Sequence, residues 1–214
     1  MIVRVRPFYY CLAIALLTCA LKAQQAHKSG SSQPGSSVLD PGTITNGIYR
    51  NPAFGFTCKI PFGWVDRTKE MGEDSNGDAE APKQSILLLA VFERPPGATG
   101  DSVNSAIVVA AEATSSYPDL RNAEQYFGPL TALAKSKGLS VVNEPYTFPV
   151  GTTQVVRGDF SKPLGKLTMH QSTLVLLEKG YIISFTLIGG TEDEVDDLLA
   201  GLSFGRKETP APHK

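Results

Sequence analysis

The stretch between Tyr49 and Trp64 constrains the fold more than any other part of the chain. Apolar side chains occupy every second position from Phe54 to Ile60, which is the period of a strand with one buried face. Asn51-Pro52 marks a turn before this strand, and Pro61 ends it because proline has no N–H to donate to a neighbouring strand. The sequence therefore predicts a half-buried strand whose end brings Trp64, the only tryptophan, into the core.

The N-terminal segment is typical of an export signal. Arg4 and Arg6 precede the uncharged apolar run Phe8–Leu21, and the small residue Ala23 follows it. This run is shorter than the roughly 20 residues that a membrane-spanning helix needs. We therefore expect residues 1–23 to be a cleaved signal peptide, with an uncleaved anchor as the alternative, and the protein to be periplasmic or secreted.

Cys19 opens a second possibility for the same segment. Leu16-Leu17-Thr18-Cys19 resembles a bacterial lipoprotein signal, in which an apolar stretch ends in a cysteine that becomes acylated. Thr18 departs from the Gly, Ala or Ser that usually precedes that cysteine. Cys19 is therefore a candidate lipidation site, and the alternative is that it is one more apolar residue of the signal.

Charge and cysteine content restrict the function classes. The chain has 20 basic and 21 acidic residues; residues 1–23 hold three basic residues and no acidic one, so their removal leaves a net charge of −4. This balance does not favour a nucleic-acid partner. Cys58 is the only cysteine beyond the predicted signal, so no internal disulfide can form and the core alone must stabilise the fold.

The composition divides the rest of the chain into three parts. Residues 24–46 are rich in Gln, Ser, Gly and Pro and predict a disordered tether. Residues 47–205 form the folded domain, and residues 206–214 predict a disordered tail because two prolines interrupt a polar sequence. Within the domain, the acidic and aperiodic segment 66–83 predicts an exposed loop.

Most of the domain predicts strands with short connections. Residues 85–92 and 106–111 are continuous apolar runs, which favour strands covered on both faces. Residues 139–188 contain five strand-like segments joined by short turns, and turns this short force antiparallel neighbours. Asn122 and Thr191 are suited to cap two helices, the first with a kink or a late start at Gly128-Pro129.

The first strand resembles that of the PsbP/Mog1-like superfamily. The resemblance rests on Tyr49, Asn51, Phe54-Gly55-Phe56, Ile60-Pro61 and Gly63-Trp64, and it extends to the late helix with its apolar end, Leu199, Leu202 and Phe204. It implies an α+β fold, a curved antiparallel β-sheet flanked by helices in an α/β/α sandwich. The superfamily includes small exported bacterial domains of unassigned function, an extrinsic photosystem subunit and a Ran-binding protein, and its members share no catalytic residues.

Few residues are suited to chemistry. His170 is the only histidine in the predicted domain, and Cys58 alternates with core residues, so a hydrolase or thiol enzyme that uses either one remains an alternative. We expect no metal site, because one cysteine and one histidine do not form a ligand set. Without a phosphate-binding or dinucleotide motif, we also expect no cofactor.

These patterns favour a non-enzymatic exported domain that binds or supports another envelope or extracytoplasmic component, with a small-ligand carrier as a further alternative. Trp64, Asp66 and Arg67 are candidates for a binding surface, because tryptophan is enriched at interfaces and the two charges lie two and three positions after it. The partner is expected to be a protein of the cell envelope. We also expect that ionisable side chains do not gather in a sheltered cleft.

Overall fold

The structure, a computed structural model, describes residues 40–76, 85–95, 97–98 and 100–205. The predicted signal peptide with Cys19, all but the end of the predicted tether and the predicted tail lie outside the described residues. Of the three α-helices in the described ranges, none combines the length and the apolar character that crossing a bilayer requires.

The described residues form eleven strands, three α-helices and one short 3-10 helix, Thr114–Ser116. In chain order the strands and α-helices are β1 (Thr43–Thr45), β2 (Ile48–Asn51), β3 (Phe56–Lys59), β4 (Val65–Asp66), α1 (Thr68–Asn76), β5 (Ser85–Phe92), β6 (Ala106–Ala113), α2 (Ala123–Ser136), β7 (Ser140–Val150), β8 (Thr153–Leu164), β9 (Leu167–Glu178), β10 (Tyr181–Gly189), α3 (Glu192–Ala200) and β11 (Leu202–Phe204). β1 lies inside the predicted tether 24–46, so ordered structure begins before residue 47.

Two antiparallel sheets organise the fold. The large sheet has the order β4-β5-β6-β10-β9-β8-β7, and the small sheet has the order β1-β2-β3-β11. The small sheet and α3 pack on one face of the large sheet, and α1 and α2 pack on the other. The α+β class with an antiparallel sheet flanked by helices is thus confirmed, while the small sheet is an addition that the sequence did not predict.

The predicted first strand is β3, and its alternation is confirmed. Phe54, Phe56, Cys58 and Ile60 are buried, and the ring of Phe56 lies edge-on to Phe185 of the large sheet with their centroids 4.8 Å apart. Trp64 is half-buried and packs against the same core, so its indole reaches the border of the core and not its centre.

Two predicted boundaries differ from the structure. Part of the predicted loop 66–83 is α1, whose start is fixed by Asp66: its Oδ1 accepts hydrogen bonds from the Thr68 N–H at 2.9 Å and from the Thr68 hydroxyl at 2.6 Å. Its sequence contains one large apolar residue, Met71, too few to produce a helical period. The segments on either side of Glu144-Pro145 form one strand, β7, with local irregularities in its pairing to β8.

The cap of α2 is confirmed, since Asn122 Oδ1 accepts from the Gln125 N–H at 3.0 Å. The helix begins at Ala123, so the late start after Pro129 is wrong. The sheet approaches this helix closely, because a Cβ on Gly158 would lie 2.6 Å from the ring of Phe127. Phe127 therefore packs directly on the backbone of β8 at this point of the sheet.

The cap of α3 is also confirmed, with one change of partner. Thr191 Oγ1 accepts from the Glu194 N–H at 3.1 Å. The Glu194 carboxylate, which the capping-box pattern directs at the Thr191 N–H, accepts instead from the Gly190 N–H at 2.8 Å and from the Ser105 hydroxyl at 2.5 Å. Glu194 thus ties the start of α3 to the segment before β6.

Candidate functional site

A polar cleft of about 250 Å³ opens where the strands β7, β8 and β9 meet α3. We call it the polar cleft and define it by its lining residues: Val142, Asn143, Tyr146, Arg157, Asp159, Phe160, His170, Gln171, Ser172, Glu192, Val195 and Asp196. Strand register brings these residues together, since Asp159 pairs with Asn143 on one side and with Ser172 on the other. The cleft therefore exists only in the assembled sheet.

Asp159 is the centre of the cleft and is only 8 % exposed. Its Oδ1 accepts from the Arg157 Nε at 2.8 Å and from the Ser172 hydroxyl. Its Oδ2 accepts from the Asn143 amide at 3.0 Å and from the Tyr146 hydroxyl at 3.3 Å. Donors from three strands therefore surround one carboxylate.

This network fixes the charges of the cleft. Burial alone disfavours a charged Asp159, but the hydrogen bonds from Ser172, Arg157 and Asn143 outweigh it and lower the pKa of the carboxyl below its usual value. Burial opposes the charge of Arg157 in the same way, and its bonds to Asp159 reverse the effect and raise its pKa. Burial, followed by the nearby Asp159 charge, raises the pKa of Tyr146. Asp159 is an anion, Arg157 a cation and Tyr146 neutral at physiological pH.

Two further carboxylates stand at the rim of the cleft on α3. Asp196 accepts from the Arg157 Nη2 at 2.9 Å, and 60 % of its side chain is exposed. Glu192 is 72 % exposed, and its Oε1 lies 3.6 Å from the His170 Nδ1. The cleft thus holds three carboxylates and one guanidinium: Asp159 and Asp196 pair with Arg157, and Glu192 lies beside His170.

The chemistry available to Asp159 is limited. A general base needs a free lone pair and a pKa near the working pH, whereas Asp159 is surrounded by donors and has a lowered pKa. Ser172 donates its hydroxyl proton to Asp159, so no imidazole activates this hydroxyl as a nucleophile. The arrangement is suited to holding a fixed charge pattern and less suited to proton transfer.

The expectation that ionisable side chains do not gather in a cleft is wrong. Its residues lie far apart in the sequence, and only one local signal could have indicated them: Arg157 and Asp159 occupy alternate positions of a strand whose neighbours are apolar. Two opposite charges on one face of such a strand must pair with each other or with a neighbouring strand.

The other predicted residues lie elsewhere. Cys58 is 1 % exposed in the core, and burial raises the pKa of its thiol to about 12, so this thiol is poorly suited to act as a nucleophile. His170 lines the polar cleft beside Glu192. Trp64, Asp66 and Arg67 do not line it; Asp66 starts α1, and the Arg67 backbone N–H donates to Ala90.

An apolar groove of about 530 Å³ lies at the other end of α3. We call it the apolar groove; its lining residues are Asn46, Gly47, Ile48, Thr57, Lys59, Ile60, Phe62, Ala200 and Gly201. Phe62, in the turn after the first predicted strand, is 106 % exposed. The ring of Phe62 thus extends the apolar lining of the groove into solvent.

Metal ions are the next class of ligand to consider. Within the ranges that the structure describes, no group of three or more His, Cys, Asp or Glu side chains is arranged to hold a metal ion.

No family model and no curated protein matches the chain. Solved structures that match it include cyanobacterial PsbP from Synechocystis, with 15 % identity, 82 % of this chain and 98 % of that chain covered and a TM-score of 0.46. The Ran-binding protein Mog1p of Saccharomyces cerevisiae matches with 13 % identity, coverage of 71 % and 80 %, and a TM-score of 0.39. LpqN of Mycobacterium tuberculosis, which is involved in cell envelope biogenesis, matches with 12 % identity, coverage of 78 % and 86 %, and a TM-score of 0.36.

PsbP and Mog1p, after which the predicted PsbP/Mog1-like superfamily is named, are both among the solved structures to which this chain is similar. At such identities and TM-scores the likeness carries nothing about activity, ligand or partner. Function has to be argued from the residues of this chain.

Proposed function

We propose that this protein is an exported, non-enzymatic binding domain, and that its polar cleft receives a cationic group of a partner in the cell envelope. The group would be the ammonium of a lysine or the guanidinium of an arginine. The observation that carries the proposal is the closed network around Asp159, which leaves the rim carboxylates Glu192 and Asp196 as the groups open to a ligand.

The charge and shape of the cleft support this ligand class. The rim carboxylates are largely exposed, so a cation can approach them without first breaking the bonds inside the cleft. Tyr146 is 38 % exposed beside them and offers an aromatic face to a cation. The fixed Arg157–Asp159 pair keeps the floor of the cleft rigid, which lowers the entropy cost of binding.

Export and the envelope partner rest on the sequence alone. The apolar run after Arg4 and Arg6 supports export, and the motif ending in Cys19 leaves lipidation as an alternative mode of attachment. Cell fractionation, with mass measurement of the mature chain, tests both. We expect a chain that has lost residues 1–23; a mass increased by acyl chains on Cys19 would indicate a lipoprotein, and a full-length cytoplasmic chain would contradict export.

The ligand class is tested by NMR titration of the full chain with Nα-acetyl-lysine methylamide. We expect amide shifts confined to the lining residues of the cleft and several-fold weaker binding by Asp196→Asn. The Nε-acetylated compound, which has no charge, serves as the control. Equal binding of the two compounds, or shifts outside the cleft, would refute cation recognition.

A further inference from the structure

Helix α3 carries acidic side chains on more than the side that borders the polar cleft. Asp193 and Asp197 are exposed and stand four positions apart, so they lie above one another on the helix surface. Among the residues that the structure describes, neither forms an ion pair. The helix contains no basic residue, so this acidic stripe is uncompensated within α3.

The acidic stripe leads to the apolar groove. Ala200 and Gly201, three and four residues after Asp197, form one wall of the groove. Ile48, Ile60 and the fully exposed Phe62 form other parts of its lining. One surface of the molecule therefore joins an apolar depression to a row of unpaired negative charges.

We infer that this surface docks a basic, apolar segment of the partner protein. An apolar side chain of the segment would fill the groove against Phe62, and lysine or arginine side chains would lie along Asp193 and Asp197. Charge complementarity selects this occupant, because an acidic or neutral apolar segment would leave the stripe unpaired. Lys59 lines the groove beside Gly201, so the basic side chains of the segment would lie away from it, toward Asp193 and Asp197.

The inference rests on the proposed function and extends it to a second contact of the same partner. Glu192 at the cleft and Ala200 at the groove are eight residues apart, which corresponds to about 12 Å along the helix axis. An extended segment of about four residues spans that distance. A short basic segment is thus long enough to engage both ends of α3.

The test uses the full chain and three synthetic peptides of equal length. One peptide alternates lysine with leucine, the second alternates glutamate with leucine, and the third alternates lysine with serine. Fluorescence anisotropy at low and at moderate salt gives the Kd of each. We expect binding of the lysine–leucine peptide to be at least tenfold tighter than that of either control, and to weaken as salt rises.

Variants locate the contact. Phe62→Ser is expected to weaken the lysine–leucine peptide about tenfold, and the double variant Asp193→Asn/Asp197→Asn to weaken it similarly and flatten the salt dependence. Leu164→Ser, which removes an apolar side chain that is 41 % exposed at the β8–β9 turn, is the matched control and leaves the Kd unchanged. All these side chains are exposed, so we expect every variant to fold.

The outcomes separate this inference from the proposed function. Binding that is lost in Phe62→Ser and kept in Asp196→Asn supports the docking surface even if cation recognition in the cleft fails. Binding that is kept in Phe62→Ser and in the double variant overturns the docking surface and leaves the cleft proposal standing. Light scattering gives a third outcome. If the protein is a dimer that the Phe62→Ser substitution dissociates and the lysine–leucine peptide does not, the occupant of the groove is a second copy, and the docking surface for a basic segment is overturned.

Discussion

Two regions of this molecule each bury an ionisable side chain, and the two side chains have opposite charge states at neutral pH: one is neutral and the other is ionised. Cys58, on strand β3 of the small sheet, points into the core among apolar side chains, and burial keeps its thiol protonated by raising the pKa to about 12. Asp159, in the polar cleft, receives donors from three strands that keep its carboxyl ionised by lowering the pKa. The difference shows that burial does not decide the charge of a group; its hydrogen-bond partners do.

The core around Cys58 and the polar cleft around Asp159 also differ in what they contribute to the protein. The buried Cys58 thiol, which donates a long hydrogen bond to the Lys59 carbonyl at 3.8 Å, contributes to the core as a small apolar group. A buried carboxylate with four donors joins strands β7, β8 and β9 and holds Arg157 in the floor of the cleft, where Arg157 pairs with the exposed Asp196. Only the second region therefore gives the outside of the protein a defined charge pattern.

The largest expected effect comes from Asp159→Asn. It leaves Arg157 in the floor of the cleft with the exposed Asp196 as its remaining charge partner. Breaking a buried ion pair in this way costs about 3–5 kcal/mol. Urea denaturation measures the free energy of unfolding, and a loss below about 1 kcal/mol would mean that the cleft is not held by this carboxylate.

Ser172→Ala gives the next effect, about 1–3 kcal/mol at neutral pH, because it removes a donor from a buried carboxylate. The stability that Asp159 contributes is present above its unfolded pKa of 3.8 and is lost as pH falls through the lower folded value. Ser172→Ala has less of this stability to lose. The difference in free energy of unfolding between the variant and the wild type should therefore shrink below about pH 4. Ser184→Ala, at a buried serine of β10, is the control whose penalty should not change with pH.

Cys58→Ala tests the other region through alkaline unfolding. The folded pKa of Cys58 is raised from 9.0 to about 12, so the protein loses stability as pH rises through that range while the unfolded thiol gives up its proton. The loss is about 1.4 kcal/mol per pH unit for one group. The variant should show a shallower slope between pH 9 and 10, before Tyr49, whose pKa burial raises to about 12, adds its own loss. Identical slopes would show that the thiol does not titrate as its burial predicts.

Asp196→Asn gives the smallest effect on stability, below about 1 kcal/mol, because this carboxylate is mostly exposed. Its effect on lysine binding is expected to be larger than its effect on unfolding. If Asp196→Asn destabilised the protein as much as Asp159→Asn, the distinction between a fixed floor and an open rim would fail.

The sequence predicted those features of the fold that a local pattern encodes. The alternation from Phe54 to Ile60 and the apolar run of β5 specify strands by themselves. β1 and β2 were missed because they are three and four residues long and mostly polar, and they become strands only by pairing, β1 with β2 and β2 with β3. Helix α1 was missed because Asp66 and one methionine supply its only local signals.

The site could not be predicted for a related reason. Its side chains come from β7, β8, β9 and α3, and the register that aligns Asn143, Asp159 and Ser172 is a property of the whole sheet. The groove was missed because Phe62 continues an apolar stretch, which favours burial, whereas the turn after Pro61 carries it into solvent.

A fixed charge pattern in the polar cleft requires that Asp159 stay ionised across the neutral pH range. Carbon-13 NMR of the Asp159 carboxyl between pH 2 and 8 tests it most directly. We predict one titration step with a pKa below the usual value of 3.8, and no further change up to pH 8. A pKa between about 5 and 8 would contradict the account, because such a carboxyl is suited to general acid–base catalysis.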